Sequence, residues 1–105
     1  MKIYSITLKS GVINLAETDV KDYVAEATQD GQGILIDLKT DLEGWADQVA
    51  SGALSPSDFQ DLLMGQKDEL EMVALKDVGL AEIAVDQFKA DIFNLINTTI
   101  GILIP

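Results

Sequence analysis

The side chains with chemistry to offer are carboxylates. Of 105 residues, 12 are Asp and 6 are Glu. Several pairs stand one helical turn apart: Asp22/Glu26, Glu26/Asp30, Asp37/Asp41, Glu43/Asp47 and Glu82/Asp86. Clustered hard oxygens are what a divalent cation takes. Asp37-x-Lys39-x-Asp41 comes nearest to a calcium loop. It lacks the parts that make one, because Leu42 stands where Gly must turn sharply and Gln48 where a bidentate Glu must bind. The pairs therefore read as solvated helix surface, and no metal site is expected.

The absent residues narrow the chemistry further. There is no Cys, no His and no Arg. Thiolate and imidazole nucleophile systems are excluded, as are iron–sulfur, haem and cysteine- or histidine-bound zinc sites. So is the bidentate guanidinium fork for phosphate or carboxylate. General acid–base work would fall to Asp, Glu, Lys or Tyr alone. Gly31-Gln32-Gly33 lacks the spacing of a phosphate loop. No Asp-Ser pair of the acyl-carrier kind occurs, and no Tyr-Tyr-Pro of the nuclease-immunity kind. The expectation is a non-enzymatic protein with no cofactor.

Net charge is −11, all seven cations being Lys. Residues 1–15 carry +2 and residues 92–105 carry none, so the negative charge lies on the middle of the chain. Nucleic acid is disfavoured as a partner, because phosphates would meet like charge. Asp19, Asp22, Glu26 and Asp30 form an acidic stripe, a candidate docking face for a basic protein partner or simply a solubilising surface. The uncharged run 92–105 is shorter than the roughly 20 residues of a spanning helix. With no signal-peptide pattern, a cytoplasmic protein without membrane association is expected.

The elements behind these residues read as mainly α, in one domain over 1–105. The spacing predicts a four-helix bundle, or three helices with one long C-terminal helix, with short β segments at both termini. Residues 1–15 could form a β-hairpin, with Tyr4, Ile6 and Leu8 on one face and Lys9-Ser10-Gly11 turning. Helices fill 16–98. The first, 16–29, starts at Thr18 and ends at Gly31-Gln32-Gly33. The second, about 33–50, carries Leu35, Leu38, Leu42, Trp45 and Val49 at steps of 3, 4, 3 and 4. Ser51-Gly52 stops it. Ser55-Pro56-Ser57-Asp58 opens the third with a cap and a first-turn proline. Residues 55–98 form either one helix or two broken at Gly79. The apolar tail 99–105 reads as a strand.

Beyond a core stripe, Met64, Met72, Leu75 and Phe93 fall on otherwise polar helix faces. They are the candidate self-association surface. The sequence thus points to a helical interaction module forming a homo-oligomer, a dimer above other states. The alternative is an acidic inhibitor or immunity-type protein binding a basic partner.

Overall fold

Apolar side chains recurring every three to four residues require helices, and the computed structural model contains six of them and no strand among the described residues. It describes residues 3–101 apart from residue 68, with 3–5 described by backbone alone. α1 spans Ile3–Asp19, α2 Val24–Asp37, α3 Lys39–Ser51, α4 Pro56–Lys67, α5 Val73–Asp77 and α6 Glu82–Gly101. A 3-10 turn, Lys21–Tyr23, joins α1 to α2. The body measures 42 × 24 × 19 Å.

The mainly helical class agrees with the periodicity, and no β segment is found among the described residues. Where a hairpin is expected within 1–15, residues from Ile3 onward form α1. Leu8, Val12 and Ala16 recur one turn apart, and all three are buried. Gly11 is not a turn residue: it lies inside the helix where Leu95 packs on it, and a Cβ there would come within 2.6 Å of Leu95 Cδ2. Packing against α6 outweighs the partial alternation, which an isolated hairpin could not convert into stability. At the other end Thr99 and Ile100 continue α6, and residues 102–105 of the expected strand lie outside the described residues.

The expected helix 16–29 is divided between α1 and α2. Thr18, expected as an N-cap, instead donates its hydroxyl to the Asn14 carbonyl inside α1 at 2.9 Å. The two glycines expected to end the helix are absorbed by α2, with Gly31 fully packed. α2 and α3 then meet at Leu38, whose backbone (φ −92°, ψ −1°) bends the path. Its N–H still donates to Ile34 O at 3.0 Å, and Leu42 N–H donates to its carbonyl at 2.8 Å. The leucine stripe therefore survives the bend. Leu38, Leu42 and Val49 are buried, with Leu35 and Trp45 packed against them.

The local signals around 52–58 act as their chemistry dictates. Gly52 takes the left-handed conformation (φ 81°) after α3. Ser55 Oγ accepts the Asp58 N–H at 3.1 Å, with Pro56 in the first helical position. Trp45 and Phe59 meet edge to face at 6.0 Å, holding α3 on α4.

Residues 55–98 are neither one helix nor two. Gly79 does break the path, with φ +80°. A second, unexpected break falls between Lys67 and Val73. Residues 69–72, which lie outside any helix, rotate the helical phase of α5 relative to α4. Met72 and Leu75 turn inward, while Val73 is 55% exposed. α6 packs against α1, α3, α4 and α5. One of its sides buries Phe88, Ile92 and Ile96, and another buries Phe93 and Ile100.

Candidate functional site

The candidate self-association surface of Met64, Met72, Leu75 and Phe93 does not stand on the outside of the protomer. Met72, Leu75 and Phe93 are 1%, 0% and 0% exposed, and Met64 packs partly buried against the same core. Two causes account for this. The break before α5 inverts the phase for Met72 and Leu75. Phe93 lies on the second buried side of α6, a helix surrounded by neighbours.

The acidic stripe is divided by structure. Asp19 and Asp22 are exposed, while Glu26 and Asp30 are partly buried. Asp30 is engaged: the backbone N–H groups of Ala74 and Leu75 donate to its two carboxylate oxygens at 3.1 and 2.8 Å. A side chain of α2 thereby caps the short α5, satisfying donors that a helix start leaves open. Lys89 of α6 donates to the Leu70 carbonyl, tying down the segment just before α5. Asp19 meets Asp91 of α6. A hydrogen bond to Asp91, then burial, then repulsion between the two carboxyls raise Asp19 from 3.8 to about 6. Gln87 Nε2 donates to Asp91 Oδ1 at 3.0 Å.

Beside this carboxyl pair a shallow groove of about 480 Å³ runs between α1 and α6. Half-buried Leu15 and Leu95 line it together with exposed Asn14, Thr18, Asn94 and Thr98. Apart from Asp91 its lining is uncharged, so it offers amide and hydroxyl hydrogen bonds beside apolar carbon. Sequence reasoning missed this groove. The available signal was the matched Asn-to-Thr pair, four residues apart, in both α1 and α6.

Sequence reasoning also left the outer side of α1 unassigned. Ile6 and Ile13, two turns apart, are 55% and 39% exposed there. Lys9 and Glu17 flank Ile13 one turn to either side, and both are exposed. Elsewhere Ile36 and Ile83 are 71% and 82% exposed.

Among the described residues no group of three or more carboxylates is arranged to hold a metal ion. No helix among them is long and apolar enough to cross a membrane. No protein-family model, curated protein or solved structure matches this chain.

Proposed function

We propose that this chain is a non-enzymatic helical protein–protein interaction module that associates with itself, most simply as a dimer. The observation that supports it is the set of isoleucines left in water on helices whose other sides are packed: Ile83 at 82%, Ile36 at 71% and Ile6 at 55% exposure. The protomer has a core of its own, so these side chains are surplus to folding and available for a partner. Sedimentation equilibrium at about 10–300 µM, where small interfaces assemble, should give a mass above 11.3 kDa. A protomer mass across that range removes the reading.

A second reading, an acidic inhibitor-type protein for a basic partner, draws on the exposed Asp19 and Asp22. Glu26 and Asp30 contribute less to such a face, because both are partly buried and Asp30 caps α5. That complex would form at a rate falling steeply with salt. Association indifferent to salt would count against it.

A further inference from the structure

We infer that the surface of self-association is the outer side of α1, paired with α1 of a second copy in antiparallel fashion about a two-fold axis at Ile13. This rests on the self-association proposed above and assigns its location.

Charge selects the surface. A chain of net charge −11 repels its own copy over most of its exterior. None of its 18 carboxylates precedes Glu17. The outer side of α1 is thus a place where two copies can approach with little like-charge cost, and it carries the exposed Ile6 and Ile13.

Register is set by the charges on that side. Lys9, Ile13 and Glu17 lie at successive one-turn steps and all are exposed. An antiparallel pairing centred on Ile13 puts Ile13 against its own symmetry mate. It also sets each Lys9 opposite Glu17 of the second copy, twice by symmetry. Ile6 then falls opposite position 20 of the second copy, just beyond the end of α1, beside the aliphatic stem of the exposed Lys21. Antiparallel helices also align their dipoles favourably. The contact is one helix pair about 25 Å long, at the small end of stable interfaces. A dimer forming at micromolar concentration or above is the expectation.

Charge reversal tests the register in the full-length protein by sedimentation equilibrium, with helicity checked by circular dichroism. Lys9→Glu and Glu17→Lys should each weaken dimerisation about tenfold, and the double variant should restore it to within about threefold of the parent. Ile13→Glu should abolish the dimer while leaving helicity unchanged. Two weakened single variants with no rescue in the double would overturn the register. A dimer that survives Ile13→Glu would overturn the assignment to α1 and leave self-association standing. A monomeric parent would overturn both. A monomeric parent that also loses thermal stability on Ile13→Glu would show that the chain's own residues cover this side.

Discussion

Replacing Gly31 with alanine probes the junction where α1, α2 and α6 meet. A Cβ on Gly31 would lie well inside contact distance of Val12 Cγ1 and 3.2 Å from Ile92 Cδ1. Val12 is fully buried and β-branched, so its methyl cannot swing clear as the end of a leucine could. Overpacking of that kind costs about 1–3 kcal/mol. Alanine in mid-helix returns about 1 kcal/mol relative to glycine. The net expectation is a loss of about 0–2 kcal/mol, or up to roughly 15 °C in Tm for a domain of this size. Urea unfolding followed by Trp45 emission reads it, since this is the only tryptophan and it packs partly buried against the core. Combining Gly31→Ala with Val12→Ala removes the obstructing methyl. The pair should show a favourable coupling of about 1 kcal/mol or more in a double-mutant cycle. A Gly31→Ala variant more stable than the parent, with no coupling to Val12, would mean that α1 does not cross α2 here. It would reopen the hairpin reading of the N-terminal residues.

Gly44 supplies the contrasting case: nothing lies within 4 Å of its would-be Cβ, so Gly44→Ala should stabilise by about 1 kcal/mol in the same urea titration. Asp30→Ala should cost about 2 kcal/mol through loss of the α5 cap. It should also speed amide exchange at Ala74 and Leu75, while Asp30→Asn costs less. The Asp19 carboxyl, raised to about 6, binds a proton more readily folded than unfolded. Its stabilising contribution is complete below about pH 4 and is lost as pH rises through about 6. Because Asp19 is exposed, solvent screening holds that contribution to about 1 kcal/mol or less. Asp19→Asn should match the parent at pH 4 and exceed it in Tm at pH 7.5; identical profiles would break the pairing with Asp91.

Most of the helical content is legible in the sequence because it depends on local spacing. The stripe from Leu35 to Val49 needs no knowledge of the rest of the chain, and neither does the cap at Ser55 or the stop at Gly52. Those features survive because each is settled within a turn or two of its own residues. The misreadings share a different physical origin: each involves a residue whose role is set by a distant partner. Gly11 and Gly31 have the local chemistry of breakers, yet here they are clearances for Leu95 and Val12. Nothing near them in sequence announces that.

Asp30 illustrates the same point for the candidate site. Within its own helix it completes a row of like charges, which suggests a docking face. Its two hydrogen bonds run to residues 44 and 45 positions away, in a helix of five residues that the sequence does not separate from its neighbours. A missed break of a few residues therefore has two consequences. It conceals the helix that Asp30 caps, and it reverses the inside and outside of Met72 and Leu75. The surplus of apolar surface suggested by Met72 and Leu75 is this error of phase. The surplus that remains on α1 sits where hairpin reasoning places a strand, so the periodicity of the other helices could not locate it. The proposed self-association therefore draws on the exposed Ile6, Ile36 and Ile83, and its assignment to α1 on exposure and charge at Lys9, Ile13 and Glu17, independently of the buried residues Met72, Leu75 and Phe93.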